Sequence, residues 1–386
     1  MAGGRMGERV KGTLNGRYEA YVPAPLPPDP PLEMERLYAA LDEAGAALGR
    51  LDGLSALLPD ADLFLYMYVR QEALLSSQIE GTRSTLSDLL LFELDETPGV
   101  PIDDVEEVSN YVAALNYGLR RLDEGFPLSL RLIREVHAVL LRGGRGAAKS
   151  PGDFRSSLVW IGGASPATAD FVPPPPDRLE PCLDALERFI NDAAPMPALI
   201  RAGLAHAQFE TIHPFLDGNG RVGRLLITLM LTRDGLLAKP MLYLSLYLKA
   251  YRPEYYRLLQ KVRFDGAWEE WLIFFLNGVA SVSRQAGEAA GRILDLFDAD
   301  RKRIDALGRR APGVAAVHGA FMRRPILDVP TLAKRCPLSA PTVRAAVTSM
   351  LDMGMLEEIT GRRRDRVYRY SAYYAVLAEG TEPVRG

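Results

Sequence analysis

Apolar residues recur every three or four positions through four segments in the first part of the chain. These are MERLYAALDEAGAALGRL, ADLFLYMYVRQEALLSSQIEG, VEEVSNYVAALNYGLRRL and SLRLIREVHAVLL. That period predicts amphipathic helices, each bounded by Gly, Pro or acidic start signals. Ahead of them, residues 23–31 hold six prolines, which favour extended polyproline-like backbone and read as an arm. Residues 151–176 break the helical period with two short β-rich stretches, 156–161 and 169–172, around a Gly/Ser/Pro loop. This reads as a β-hairpin. Helical spacing resumes in PDRLEPCLDALERFIND, MPALIRAGLAHAQFETI, GRVGRLLITLMLTRDG and EYYRLLQKVR. The polar stretch DADRKRIDALGRRAPG reads as a linker helix and hinge. Beyond it, VPTLAKRC, a turn at 337–340 and PTVRAAVTSMLDMGML give helix, turn, helix, and EEITGRRRDRVYRY gives two strands around a basic turn. That order predicts a winged helix-turn-helix. The expectation is a mainly α protein: an extended arm (1–31), an N-terminal helical region (32–110), a helical core with a hairpin (111–290), and a linker helix with a winged helix (291–386).

A chain of 386 residues accommodates two to three domains. With 48% hydrophobic and 25% charged residues, the composition is that of a folded domain and excludes a disordered polyelectrolyte. The formal net charge is −3, yet residues 321–386 carry 11 Lys and Arg against 7 Asp and Glu. Any polyanion-binding face is therefore local. Two cysteines, Cys182 and Cys336, lie far apart without a Cys-x-x-Cys, which excludes a disulfide framework and a cysteine zinc site. MAGGRMGERVKGT lacks the apolar stretch of a secretory signal, and no apolar run is long enough to span a membrane. A cytoplasmic protein is expected.

The chemistry concentrates in His213-Pro-Phe-Leu-Asp-Gly-Asn-Gly-Arg-Val-Gly-Arg224. Val222, Leu225, Leu226 and Leu229 fall at helical spacing, so a helix begins near Gly220 and buries that face. Gly218, Asn219 and Gly220 precede it, residues that tolerate positive φ and leave main-chain N–H groups exposed. Those groups and the positive end of the helix dipole form an anion cradle. Arg221 and Arg224 share one face of the first turn, where the dipole disfavours cations, so the pair calls for a compensating anion. Two guanidinium forks suit a polyphosphate better than one carboxylate. Asp217 lies where it can hold Mg²⁺ against phosphates, and His213 can take a proton from an attacking hydroxyl. The pieces add up to nucleotide-phosphate transfer.

HPFLDGNGRVGR matches the Fic motif HPFx(D/E)GNGRxxR at every defined position, and the chain resembles the Fic family over about residues 15 to 285. The resemblance implies transfer of AMP from ATP to a Tyr, Thr or Ser hydroxyl of a protein, self-modification included. It implies His213 as base, Asp217 as Mg²⁺ ligand, 218–220 as phosphate cradle, Arg221 and Arg224 on the β- and γ-phosphates, and Phe215 as the loop's core anchor. Ser76-Ser-Gln-Ile-Glu80-Gly81 is similar to the family's inhibitory motif (S/T)xxxE(G/N), whose Glu pairs with the motif's second arginine, here Arg224. That implies autoinhibition by Glu80, with Ser76 on the same helix face. The hairpin resembles the family's flap, on which a target segment docks by strand addition; Ile161, Gly162, Gly163 and Ala164 would then brush the nucleotide. Tyr255 and Tyr256 resemble the tyrosine pair lining the adenine pocket.

Two alternatives stay open: removal of AMP or transfer of another phosphate-linked group at the same site, and a DNA-binding regulator whose core only senses nucleotide. For the second, Arg362, Arg363, Arg364 and Arg366 on the wing and Arg344 on the recognition helix are the candidate backbone contacts. A winged helix used for protein contact or homodimerisation is the competing use. His206, Glu210 and His213 share a helix face in the manner of a metal site, but His213 already has a role. His137 and His318 read as structural.

Overall fold

The computed structural model describes residues 4–14, 16–57, 61–94, 100–143, 146–192 and 195–383. Residues 1–3 of the predicted arm and 384–386 of the C-terminal region lie outside them. An antiparallel hairpin, β1 (Glu8–Thr13) and β2 (Arg17–Val22), opens the chain. Helices α1 (Tyr38–Leu57), α2 (Ala61–Ile79), α3 (Leu86–Phe92), α4 (Ile102–Asp123) and α5 (Leu130–Leu140) follow. After the predicted flap come α6 (Pro176–Asn191), α7 (Ala198–Ile212), α8 (Asn219–Arg233), α9 (Ser245–Ala250), α10 (Arg252–Asp265) and the 38-residue α11 (Trp268–Asp305). The chain ends in α12 (Ala311–Arg323), β3 (Ile326–Asp328), α13 (Val329–Arg335), α14 (Ala340–Asp352), β4 (Leu356–Glu358), β5 (Val367–Tyr370) and α15 (Ser371–Ala378), with sheet order β3-β5-β4. Among the described residues, no helix is long and apolar enough to cross a membrane.

The architecture is the expected mainly α one, and three local expectations need correction. The N-terminal arm is not a single unpaired run. Residues 8–13 and 17–22 fold back on each other as β1 and β2, and Ala20, Tyr21 and Val22 at the end of β2 are buried. The predicted hairpin at 156–172 shrinks to one antiparallel bridge, Ile161 with Phe171. The next partners along the returning strand would be Pro173 and Pro175, which have no N–H to give a ladder. Val172 pairs elsewhere, its carbonyl accepting from the Tyr21 N–H at 2.8 Å. Finally, the linker helix expected in this stretch is not a separate element: its residues to Asp305 are the last turns of α11, and the chain turns through 306–310 into α12. Ile293, Phe297, Asp300 and Ile304 are buried at helical spacing, and Asp300 accepts from the Tyr370 hydroxyl of β5 at 2.6 Å. Its charged residues pair along the helix, Arg301 with Asp305 and Lys302 with Asp298.

The core is centred on α7 and α8, the two helices most completely covered by the rest. From Ala202 to Ile212 every residue of α7 is buried, and α8 is buried from Arg221 to Leu231. Helix α7 packs against α1, α6, α10 and α11, and α8 against α2, α4 and α5. The loop joining α7 to α8 is the 213–218 stretch, so the candidate chemistry sits at one end of the most rigid pair of elements.

Candidate active site at the α7–α8 turn

His213 caps α7 in the left-handed conformation (φ 50°, ψ 61°). A non-glycine residue holds that conformation at a cost unless its surroundings fix it. They do so here: the His213 N–H donates to the Phe209 carbonyl at 2.9 Å, and the His213 carbonyl accepts from Arg155 Nε at 2.8 Å. Phe215 is fully buried and stacks on His137, with ring centroids 3.6 Å apart and planes 9° from parallel. His137 Nδ1 accepts from the Gly152 N–H, which leaves Nε2 to donate to the Asp217 carbonyl at 3.1 Å. Asn219 closes the loop from the other side. Its carbonyl oxygen accepts from the Phe215 N–H and its amide nitrogen donates to the Phe215 carbonyl. The Asn219 side chain is therefore occupied within the loop, and only its main chain faces the predicted cradle.

Gly218, at φ 77°, is the cap from which α8 begins. Gly220 is helical, and its lack of a side chain serves a different need: a Cβ there would collide with Glu80 Oε1. Glu80 follows the last residue of α2 and lies over the first turn of α8. The turn it sits in is closed by Gly81 at φ 102°. Arg224 is its partner, 2% exposed and held by three hydrogen bonds: Nε to Ser76 Oγ at 2.8 Å, Nη2 to the Ser76 carbonyl at 3.0 Å, and Nη2 to Glu80 Oε1 at 2.6 Å. Arg221, equally buried, pairs with Glu107 of α4 at 3.1 Å and with Asp217 at 3.4 Å. The anion that two arginines at a helix start require is thus supplied by the protein itself. Of the suppliers, Glu107 is 11% exposed, while Glu80 on Arg224 and Asp217 on Arg221 are 34% and 40% exposed, so Glu80 is the carboxylate on Arg224 that a solvent-borne anion can displace.

Electrostatics fix the protonation states. Burial, reinforced by Arg263 and Arg155, pulls the His213 pKa down to about 4, with Glu80 and the Glu210 main chain opposing weakly. The imidazole is neutral at pH 7, and its buried Nδ1 makes no well-formed hydrogen bond. Burial alone would raise the Glu80 pKa, but Arg224, with Arg221 and His213, holds the carboxyl below its usual range. Asp217 is 40% exposed, and among the described residues only its Oδ1 is engaged, by the Gly218 N–H and Arg221. One half-exposed carboxylate facing a phosphate cradle fits the way Mg²⁺ is usually held, by few protein oxygens together with substrate phosphates. Among the described residues no group of three or more His, Cys, Asp or Glu is arranged to hold a metal, and His206 is taken up by the Gly223 carbonyl and the Tyr255 hydroxyl.

The remaining predicted residues divide. The flap tip carries Ile161, half-buried, then exposed Gly162, Gly163 and Ala164, the glycines at φ 71° and 66°. Tyr255 is fully buried among His206 and Trp271, its hydroxyl 2.8 Å from His206 Nε2. Tyr256 beside it is 39% exposed, with the Arg252 guanidinium 5.5 Å over its ring. Arg344, Arg362, Arg363, Arg364 and Arg366 are all exposed, far along the chain on α14 and the β4–β5 loop. Sequence reasoning missed Glu107, Arg155 and the loop-holding role of His137. Each acts on the motif across 58 to 114 residues, and no local pattern announces it. A cavity of about 820 Å³ lies between β1–β2 and residues 166–172 of the flap. It is not the cradle, whose mouth Glu80 fills.

A helical core presents a left-handed turn at His213 and a helix start that carries two buried arginines. Residues 38–120 match the Fic/DOC family N-terminal model and 127–231 the Fic/DOC family model. Over those two stretches the chain is similar to the Fic/DOC family. The protein adenylyltransferases Fic of Drosophila ananassae and Drosophila willistoni are each 31% identical to it over 205 residues, 52% of this chain and 39% of theirs. The chain thus spans about two-fifths of the length of the curated relatives it matches. A crystal structure of a Fic family protein from Desulfovibrio desulfuricans G20 shares the fold, with a TM-score of 0.57 at 22% identity over 87% of this chain and 96% of that one.

Proposed function

We propose that this protein transfers AMP from ATP to a hydroxyl group of a protein, and that Glu80 restrains the reaction. The observation that carries the reading is Arg224, buried and shared between Ser76 and a displaceable Glu80, on the helix that follows the turn bearing a neutral His213. ATP seats its phosphates on the first-turn N–H groups of α8 and displaces Glu80 from Arg224. Mg²⁺, held by Asp217 and the phosphates, neutralises charge on the leaving pyrophosphate when bound. His213 accepts the proton of the attacking hydroxyl as its oxygen bonds to the α-phosphorus and the bond to pyrophosphate breaks. The target segment lies against the flap, and Tyr256 supplies the adenine face.

The test is intact mass after incubation with Mg²⁺ and ATP, for wild type, Glu80→Gly, and Glu80→Gly with His213→Ala. A gain of one AMP in the single variant, lost in the double, is the expected outcome. No gain in Glu80→Gly with nucleotide bound rejects self-modification, and with it the proposed brake.

The element order α12, β3, α13, α14, β4, β5, with Arg344, Arg363 and Arg364 exposed on its outer side, supports a second, compatible role. The C-terminal unit is a winged helix that contacts the DNA backbone. Duplex DNA retention should fall steeply with salt, and charge reversal at Arg363 and Arg364 should abolish it; salt-independent or absent retention rejects the role.

A further inference from the structure

Arg155 stands at the foot of the flap, is 4% exposed and has no carboxylate partner among the described residues; main-chain carbonyls take up its guanidinium instead. Nε donates to the His213 carbonyl at 2.8 Å, Nη2 to the carbonyls of Pro174 at 2.7 Å and Ile212 at 3.3 Å, and Nη1 to Ser157 at 3.1 Å. Its own N–H donates to the Pro214 carbonyl at 2.9 Å. One residue, through its side chain and its own N–H, therefore ties both stems of the flap, at 157 and 174, to residues 212–214 of the His213 turn. We propose that Arg155 is a positioning residue for the transfer proposed above: it holds the flap and the base in one fixed relation, so a segment seated on the flap meets His213. A bridge of a single residue pair, Ile161 with Phe171, cannot fix that relation alone.

Arg155→Lys and Arg155→Met, each in the Glu80→Gly background, test this. Both should leave ATP affinity near the parent's and lower the transfer rate on the order of 10- to 100-fold, the effect of misplacing a base from its target. Exchange of the Ile161, Asp170 and Phe171 amides should quicken while α8 amides keep their protection. The groups facing His213 are Arg263 from α10, Arg155, Glu80 from α2 and the Glu210 main chain from α7. Losing the Arg155 charge should therefore move the acid limb of the rate profile upward for Met and leave it in place for Lys. Transfer that falls only with the folded fraction, or exchange that quickens evenly over the core, overturns the proposal. If the Glu80→Gly parent transfers nothing, the transferase reading fails, and the amide exchange still decides whether Arg155 locks the flap.

A separate set of contacts bears on Glu80. Helix α2 carries Ser76 and Glu80 on one side, and on another it is gripped by the end of the chain. Gln71 Nε2 donates to the Leu377 carbonyl at 2.7 Å and Gln78 Nε2 to the Thr381 carbonyl at 2.9 Å, both glutamines buried. Lys249 of α9 holds the same tail through the Gly380 and Glu382 carbonyls. The tail continues from α15, which follows β5 without a break and so leads back to the basic β4–β5 loop. We infer that the C-terminal unit clasps the inhibitory helix and sets the strength of the Glu80 restraint. Lys249→Ala loosens the tail without touching α2 and, with Gln71→Leu, should raise self-modification roughly fivefold or more. Neither should raise it further in the Glu80→Gly background, where no restraint is left. An equal rise in both backgrounds, or none in either while tail exchange quickens, overturns the inference. Should Glu80→Gly itself be inactive, faster exchange at Ser77 and Glu80 in Lys249→Ala remains the deciding measurement.

Discussion

Replacing Glu80 with glycine removes one ion pair and one obstruction, and the structure sets the scale of both. Arg224 makes three hydrogen bonds, two to Ser76 and one to Glu80. The variant keeps the first two, so the guanidinium stays in place with one fork freed. A charge-assisted hydrogen bond to a group as buried as Arg224 contributes about 1.5–3 kcal/mol. Glu80 is 34% exposed, and solvent screening trims its share to about 1–3 kcal/mol. If ATP must break that bond to seat its phosphates productively, transfer should rise roughly 5- to 150-fold at about 1.4 kcal/mol per decade. The carboxylate also stands where a Cβ on Gly220 would lie, directly over the first turn of α8, so removal opens space as well.

Glu80→Gln separates the two effects. It retains the bulk and an acceptor oxygen but no charge, and should fall between wild type and Glu80→Gly. Incorporation of α-labelled ATP into the protein, at saturating Mg²⁺ and with initial rates per folded molecule, is the assay. Equal rates for wild type and Glu80→Gly refute the reasoning outright. A Gln variant as slow as wild type would assign the restraint to occupancy and overturn the role given to charge.

Three further outcomes follow from the same contacts. With the His213 pKa at about 4, kcat/KM in the Glu80→Gly background should hold from pH 8 down to about 5.5, because a base acts in its neutral form, present above its pKa; an acid limb near the ordinary histidine value would show that His213 is not desolvated as described. His137→Phe keeps the stack on Phe215 but strands the Asp217 carbonyl and the Gly152 N–H, and should cost about 1–3 kcal/mol in urea denaturation together with weaker Mg²⁺ dependence; unchanged stability would refute the loop-holding role. Phe215→Ala empties a fully buried site and should cost about 3–5 kcal/mol, read from the same denaturation midpoint.

Much of the fold could be read from period alone. Helices α2, α4, α5, α7 and α8 lie within about two residues of where apolar spacing puts them, because each buries one continuous face against the core. The misses share physical causes. At seven residues α3 is too short to show a period, and is fixed instead by a capping box between Thr85 and Asp88. The flap was over-read because β-prone residues on one strand face prolines on the other. In the site, His213, Asp217, Arg221 and Arg224 were legible as a local cluster, and Glu80 through its own motif. The partners that neutralise and orient them were not. Glu107 reaches Arg221 from 114 residues away and Arg155 reaches His213 from 58, and only the packing of α4 and of the flap stem against the turn brings them in.

Arg224 explains why such a site tolerates losing its restraint. A buried guanidinium needs counter-charge, and removing one partner of a buried pair costs about 3–5 kcal/mol. Around Arg224 the carboxylates are graded. Glu80 is ionised and half open to solvent, while burial pushes Glu72 and Glu210 up to about 7, with Arg224 drawing both down. Loss of Glu80 leaves the cation beside Ser76 and two carboxyls able to ionise, so Glu80→Gly should fold normally. Loss of the cation is different. In Arg224→Met, Glu72 and Glu210 lose the charge that lowers their pKa values, which climb further. A group whose folded pKa is raised binds more protons folded than unfolded, so its stability contribution drains away as pH rises through that value. The gap in unfolding free energy between wild type and Arg224→Met should therefore widen from pH 6 to pH 8. A gap that stays constant over that range would mean these carboxyls do not share the field of Arg224, and that Glu80 alone balances it.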